Sequence, residues 1–461
     1  MESARIERLR QDVRGEVITP EDTQYDQARK VYNAMIDRRP SAIVRPANAG
    51  DVMTAVRFAG DNDLPVAVRG GSHSVPGFGT CDGGLVVDLS SRRGVRVDPL
   101  AHTARAEGGA TWGDFNAATY PFGLATTGGI ISTTGVGGLT LGGGIGYLAR
   151  GFGLSCDNLL SADVVAGDGS FHVASEKDDA ELYWALRGGG GNFGVVTSFE
   201  FRLHPVKDIY GGPMFFELEH AAELLRYFRE LIVDAPGQLG GFPAFQIAPP
   251  LPFIPEGRHG EPFFAVVGCW AGPLDEGEQA FAGFRDIARP VAEMVGPMPY
   301  PALNSAFDAL VPPGLQHYWK ANFVRELTDE AIEAHLVHGP KLPAVNSTVH
   351  IYPINGACHQ LAPDATAFAY RDANFATVIA GMWPDPAENE ANTAWVRDYY
   401  EATAPLSEEG GYVNFMAEDD QSRIRANYKG NYDRLAGIKR QYDPQNIVRF
   451  NQNIEPAALA G

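Results

Sequence analysis

Seven of the twelve residues from Gly135 to Gly146 are glycine. Glycine gives up more backbone freedom on folding than any other residue, so a fold that concentrates it needs bare peptide to pass close to something. A second concentration, Gly70-Gly71-Ser72-His73-Ser74-Val75-Pro76-Gly77-Phe78-Gly79, follows the short apolar run Pro65 to Arg69. The N–H groups of two such loops suit an extended polyanion such as a pyrophosphate; the alternative is a pair of tight turns beside a core. His73 is flanked by serines rather than by apolar residues, which sets it toward whatever the loop holds.

A third group, Gly189-Gly190-Gly191-Asn192-Phe193-Gly194, satisfies GxGxxG. A Rossmann fingerprint lies between a strand and the helix whose N-terminus meets the pyrophosphate. Here the helical pattern AELYWALR precedes the glycines and the alternating VVTSFEF follows them. That order predicts a helix C-terminus followed by a close backbone approach, which a cofactor can still use.

The 461 residues suffice for two or three domains. With 37 basic against 57 acidic side chains the net charge is -20, which repels nucleic-acid phosphates and anionic membranes, and no basic cluster offsets it. No nucleic-acid or membrane partner is expected. Cys81, Cys156, Cys269 and Cys358 are too scattered for a disulfide framework or a zinc site, which points to a reducing, cytoplasmic setting with Cys156 as a structural residue. The N-terminus lacks the apolar segment of roughly 7 to 15 residues that marks a secretory signal, and no run approaches the roughly 18 apolar residues of a membrane span. HExxH and GxSxG are absent, and His335 and His338 lack a third ligand nearby, so no metal is expected. The sequence carries no signal for an oligomeric state.

Val52, Ala55, Val56 and Ala59 recur at helical spacing within residues 51–63, and Pro65 to Arg69 and Leu85 to Leu89 read as strands. Asp163 to Val173 reads as a hairpin turning at Gly-Asp-Gly. From residue 206 glycine clusters give way to proline-interrupted apolar runs, with strands predicted at EPFFAVVGCW and STVHIY and helices at LTDEAIEAHLVHG and NEANTAWVRDYYEATA. A last helix, NYDRLAGIKRQYDPQN, puts Leu435 and Ile438 on one face and stops at Asp443-Pro444. The fold class is α+β.

Taken together, VRGGSHSVPGFG, GVGGLTLGGGIGYLARGFGLSCDNLLSADVVAGDG, LRGGGGNFGVVTSFEF and NYDRLAGIKRQYDPQNIVRFNQNI resemble the vanillyl-alcohol-oxidase type of FAD-linked oxidoreductase in its berberine-bridge-enzyme-like branch. The resemblance is strongest over residues 40–205 and 412–454. It implies a two-part FAD-binding domain, residues 1–205 completed by a return segment 412–461, with a substrate domain at 206–411 built on an antiparallel sheet flanked by helices. It implies that Arg69, Gly70, Gly71, Ser72, Ser74, Gly77 and Phe78 wrap the pyrophosphate and that His73 carries the FAD covalently. By the same resemblance Gly135, Gly138, Gly142, Gly143, Gly144 and Gly146 line the cofactor, Val195 and Val196 its adenine side, and Asn451 and Asn453 complete the binding set. Some members add a second link from a cysteine four residues before the GVGG run; Ile131 stands there, so attachment through His73 alone is expected.

The implied activity is oxidation of a small, neutral or cationic organic molecule, an alcohol or hemiacetal, an amine or a natural-product intermediate, by hydride transfer to the flavin with O2 as the acceptor. A dehydrogenase with another acceptor and a non-catalytic flavin-binding protein are the alternatives, and Leu139, near the flavin by resemblance, bears on oxygen access. Strand alternation sets Val349 and Ile351 on one face and His350 and Tyr352 on the other. The family often carries an acidic residue near the Tyr352 position, so its carboxylate base does not transfer here. His350 accepts a proton near neutrality with little tuning, whereas a tyrosine with an ordinary pKa of about 10 needs electrostatic help. Both are candidate bases. Tyr412 and Asn414, paired by the same alternation in Tyr412-Val413-Asn414-Phe415, are expected to form a second polar wall; Tyr318 and Lys320 are lesser candidates.

Overall fold

A computed structural model describes residues 2–458 of the chain. Among them the strands form three sheets. In the first, β1 (Glu16–Ile18), β2 (Ala42–Arg45), β3 (Val66–Arg69) and β4 (Leu85–Asp88) take the order β1-β2-β4-β3, with β2 and β3 each parallel to β4. Their apolar runs do not alternate because both faces are covered. Helix Ala49–Asp61 packs the predicted stripe Val52, Ala55, Val56 and Ala59 against this sheet, and its N-terminus is capped by Asn48, whose side chain accepts from Asp51 N at 3.1 Å.

The second sheet is antiparallel: β5 (Val95–Asp98), β6 (Thr103–Glu107), β7 (Leu159–Ala166), β8 (Phe171–Ser175) and β9 (Gly194–Arg202), in the order β5-β6-β9-β7-β8. The hairpin β7–β8 turns at Gly-Asp-Gly as expected. Helix Ala180–Leu186 precedes the glycines 188–191 and β9 follows them, the reverse of a Rossmann order.

The third sheet holds β10 (Asp208–Phe216), β11 (Leu239–Ile247), β12 (Pro262–Trp270), β13 (Ala292–Glu293), β14 (Gly296–Pro299), β15 (Gln316–Val324), β16 (Thr348–Pro353) and β17 (Phe375–Trp383). Its order is β13-β10-β12-β11-β16-β17-β15, with β14 also pairing β10, and every pairing is antiparallel. Period-two alternation gives this sheet two distinct faces. Phe245, Val349, Ile351 and Ile379 pack under helices Ala221–Asp234, Asp329–His338 and Asn389–Thr403. Phe242, Ala244, His350, Tyr352, Val378 and Ala380 face the other way, toward the first two sheets.

Helix Tyr432–Tyr442 returns to the N-terminal half and buries Leu435 and Ile438 beside helix Ala180–Leu186. Lys439 is wholly buried on that helix and ties three segments, its Nζ donating to Asp443 Oδ2 (2.6 Å), Asn192 O (2.7 Å) and Val448 O (2.9 Å). Tyr412 to Phe415, expected to be extended, forms a 3-10 turn at Val413–Phe415. Tyr412 and Asn414 are still joined, because Asn414 Nδ2 donates to Tyr412 Oη at 2.8 Å across that turn.

Arg150 joins the N-terminal half to the sheet-and-helix half. Its buried guanidinium donates to Ile232 O (2.9 Å), Ala235 O (2.8 Å), Pro236 O (3.0 Å), Leu239 O (2.6 Å) and Asn355 Oδ1 (2.7 Å), closing the C-terminus of helix Ala221–Asp234. Burial lowers its pKa to about 10. Arg150→Met keeps the stem but orphans these acceptors, and a loss of about 3 kcal/mol or more is expected. Chemical denaturation of the variant beside the parent measures it; an unchanged midpoint would show that water replaces the guanidinium without loss.

Candidate active site

A single cavity of about 370 Å³, counted as room for the centres of water molecules, runs between the three sheets. One end is walled by the backbone of Gly70 to Ser74, by Gly135, Gly137 and Gly138, and by Gly190 and Gly191. The other end is the open face of the third sheet. The glycines divide into two kinds. Gly71 and Gly135 let the two glycine loops touch backbone to backbone: a Cβ on Gly71 would stand 2.2 Å from Gly135 N. Gly138 and Gly191 line the cavity, and a Cβ on either would meet no protein atom within 4 Å. These two leave room for a group held against bare peptide.

Several residues expected at the cofactor lie outside the lining, each for a local reason. A Cβ on Gly142 would stand 2.3 Å from Asn414 Oδ1, on Gly143 2.8 Å from the Phe368 ring, on Gly144 2.2 Å from Ser155 Oγ and on Gly146 2.5 Å from Gly129 N, so these glycines make room for protein. Gly77 makes room for Ile36 in the same way. Val195 and Val196 are neighbours on β9 and point to opposite faces; Val196 lines the cavity and Val195 sits in the core of the first sheet. Asn451 lines the cavity and Asn453 does not. Arg69 reaches the lining, but its guanidinium is spent on the loop itself, donating to Gly79 O (3.0 Å), Ala28 O and Arg29 O (3.4 Å) beside Asp88 at 3.7 Å. It braces the loop rather than offering a free charge.

His73 lines the cavity with Ser72, Ser74 and Phe78. Its ring stacks on Tyr32 with centroids 3.8 Å apart, and Nε2 pairs with Thr133 Oγ1 at 3.0 Å, leaving Nδ1 without a hydrogen-bond partner among the described residues. Burial holds its pKa down to about 3, so the imidazole is neutral and its nitrogen lone pair available. Ser72 adopts a left-handed φ of 67° and carries a buried Oγ with no partner; Gln452 Nε2 and Asn451 Oδ1 on the facing segment are likewise buried and unpaired. These orphaned polar atoms and the open glycine backbones fit an extended, polar, hydrogen-bonding group such as FAD.

At the other end His350 lies between Ala244 on β11 and Val378 on β17. Its Nδ1 is 2.5 Å from Tyr352 Oη, and the Phe242 ring packs against both rings, at 4.5 and 4.8 Å. Burial lowers the His350 pKa to about 3 and raises that of Tyr352 well above the usual phenol value, so both are neutral at physiological pH. Asn414 lines the cavity, held by Leu139 O (3.0 Å) and Tyr412 Oη (2.8 Å). Tyr412 does not line it: its hydroxyl oxygen accepts from Gly144 N (2.8 Å) and Ile145 N (3.3 Å), so it fixes the glycine loop and Asn414 together. Burial raises its pKa to about 12.

Tyr318 and Lys320 face away, where Tyr318 Oη donates to Asp419 Oδ2 (2.6 Å) and Lys320 Nζ to Asp419 Oδ1 and Asp420 Oδ1 (2.8 Å each). The alternate residues of the same strand, His317 and Trp319, line the cavity instead. Neither was singled out from the sequence; the parity of β15 against a known cavity face would have found them. Tyr32 and Asn33, also lining, lie in no motif. Cys156 is buried, as expected of a structural residue. No helix among the described residues is long and apolar enough to cross a membrane.

Residues 40–175 match the family described as FAD binding domain, and residues 411–455 the family described as berberine and berberine like. An FAD-linked oxidoreductase of Dictyostelium discoideum is 32% identical over 452 residues, covering 97% of this chain and 96% of the relative. The crystal structure of 6-hydroxy-D-nicotine oxidase from Arthrobacter nicotinovorans superposes with a TM-score of 0.84 at 29% identity, covering 96% of this chain and 98% of that one. Glucooligosaccharide oxidase from Acremonium strictum, described with a 6-S-cysteinyl, 8α-N1-histidyl FAD, shares the fold with a TM-score of 0.85 at 22% identity over 99% of each chain. The glycine-walled cavity, the returning C-terminal helix and a relative matched end to end lead to one assignment: the chain belongs to the berberine-bridge-enzyme-like FAD-linked oxidoreductases, enzymes of the vanillyl-alcohol-oxidase fold.

Proposed function

We propose that this enzyme oxidises a CH–OH or CH–NH group of a small organic molecule, using FAD attached through His73 alone and passing the electrons to O2. The observation that carries the reading is one continuous cavity lined both by glycine backbone with His73 and by the His350–Tyr352 pair. FAD, when bound, supplies the acceptor for a hydride equivalent and returns the electron pair to oxygen as H2O2. On this reading residues 1–205 and 412–461 hold the cofactor and 206–411 present the substrate.

His73 is suited to the attachment because its imidazole is neutral, is oriented by Thr133 and Tyr32, and has Nδ1 uncommitted. Ile131 offers no thiol for a second link. At the substrate end Tyr352 Oη accepts the proton of the substrate O–H or N–H while its own proton moves to His350 Nδ1. Asn414, clamped by Leu139 O and Tyr412 Oη, orients the reacting groups, and the aromatic walls exclude water. The four cysteines are buried and unpaired, which supports a reducing, cytoplasmic setting.

The test is flavin retention together with peroxide stoichiometry. After denaturation and washing the parent protein is expected to stay yellow, while His73→Ala releases its flavin to the supernatant. An oxidised substrate is expected to yield an equal amount of H2O2. A parent precipitate that washes colourless overturns the covalent link, and turnover that requires an added acceptor overturns the oxygen step.

A further inference from the structure

We infer that the substrate is bound as an electrically neutral, largely apolar ring compound, and that charged molecules and oligosaccharides are excluded. The inference rests on the oxidoreductase reading and narrows it. The lining includes no Asp, Glu or Lys, and its single arginine, Arg69, is committed to backbone carbonyls and to Asp88. His350 and His317 are kept neutral by burial, with pKa values lowered to about 3 and about 4. A cation or anion entering the substrate end, away from the glycine amides, loses its hydration shell and gains no counter-ion, the most unfavourable form of burial. The net charge of -20 attracts cations from a distance, yet the cavity offers no carboxylate to receive one. On this inference the neutral member of the neutral-or-cationic expectation is the substrate.

The polar side chains on the substrate wall are largely spent as well. Gln246 Nε2 donates to Val345 O (2.8 Å), Thr348 Oγ1 to Phe245 O (3.1 Å) and Asn346 Nδ2 to Leu310 O (2.7 Å). The orphaned polar atoms on this wall are His317 Nε2 and Trp319 Nε1, both buried without a partner. With the His350–Tyr352 pair they give a substrate a few anchor points, set among rings such as Phe215, Phe242, Phe253, Phe307 and Phe415. A sugar chain brings several hydroxyls per ring and would leave most of them unpaired. A ring compound with one oxidisable group and one further hydrogen-bonding atom fits both the apolar walls and the anchors.

The experiment is an anaerobic titration of the holoenzyme, read by perturbation and bleaching of the flavin absorbance. The probes are 4-methoxybenzyl alcohol, 4-carboxybenzyl alcohol, 4-(hydroxymethyl)phenyltrimethylammonium and cellobiose. The neutral alcohol is expected to perturb the flavin spectrum at concentrations at least ~100-fold lower than either ion or the disaccharide, given the penalty for burying an unpaired charge. Equal response to an ion, response to cellobiose, or silence toward the neutral alcohol while the flavin band is present overturns the inference. A preparation that has no flavin band and takes up no added FAD contradicts the oxidoreductase reading instead, so the two failures are distinct.

Discussion

Tyr352→Phe should slow anaerobic flavin bleaching by about 100-fold or more, the range that a positioned general base supplies. The phenol is the group in hydrogen-bond reach of His350, at 2.5 Å, and its removal leaves the imidazole with no proton to accept. The substitution deletes one oxygen and keeps the ring packed between Phe242 and Phe415, at 4.8 and 5.7 Å, so flavin content and fold should be retained. Because burial holds His350 near a pKa of about 3 and moves Tyr352 upward, neither group changes protonation between pH 5.5 and 9. The parent's bleaching rate with a non-ionising alcohol is therefore expected to be flat over that range. Stopped-flow absorbance measures both quantities. An unchanged rate in Tyr352→Phe would exclude the pair from proton transfer, and a rate that rises through pH 6.5 would show that His350 titrates like an exposed histidine.

The pair was legible because one strand carried its alternation on both sides: Val349 and Ile351 fill the helix-covered core while His350 and Tyr352 reach the cavity. The same rule says nothing until the face is known: on β15 the lesser candidates Tyr318 and Lys320 turn to Asp419 and Asp420, while His317 and Trp319 hold the cavity positions. Phe375–Trp383 is buried at every position, so it shows no period at all and its membership in the sheet comes from its pairing with β15 and β16. The glycine runs announced close approach but not its object. Gly142 clears Asn414, which lies 272 positions further along the chain, whereas Gly138, four positions earlier, faces the cavity. Asn33 lies in no motif, yet it clamps β15 to the first loop by accepting from His317 N (3.0 Å) and donating to His317 O (2.9 Å) and Val75 O (2.7 Å). Such contacts follow from tertiary placement and leave no local pattern.

Acid should destabilise this protein well before its carboxylates titrate. His317 and His335 are almost wholly buried, and desolvation lowers each to a pKa of about 4 from an ordinary 6.5. The folded state then binds fewer protons than the unfolded chain between those values, so stability is full above pH 6.5 and falls as pH drops toward 4. At pH 5 each contributes a loss of about 2 kcal/mol by linkage, about 4 kcal/mol for the two. His350, lowered to about 3, adds a loss in the same direction. Carboxylates with lowered pKa values, such as Asp114 held by Arg93 and Thr111, lose their stabilising contribution mainly below about pH 4, so a comparison of pH 7 with pH 5 isolates the histidines. Denaturant midpoints at the two pH values measure the loss. His335 is the control: its Nδ1 meets Tyr399 Oη at 2.7 Å under the helices, on the far side of the sheet from the cavity. His335→Gln should cost some stability at pH 7 yet remove about 2 kcal/mol of the pH 7-to-5 difference, with flavin bleaching unchanged. If that difference is the same in parent and variant, His335 titrates alike in the folded and unfolded chains, and the destabilisation by acid must originate in other groups.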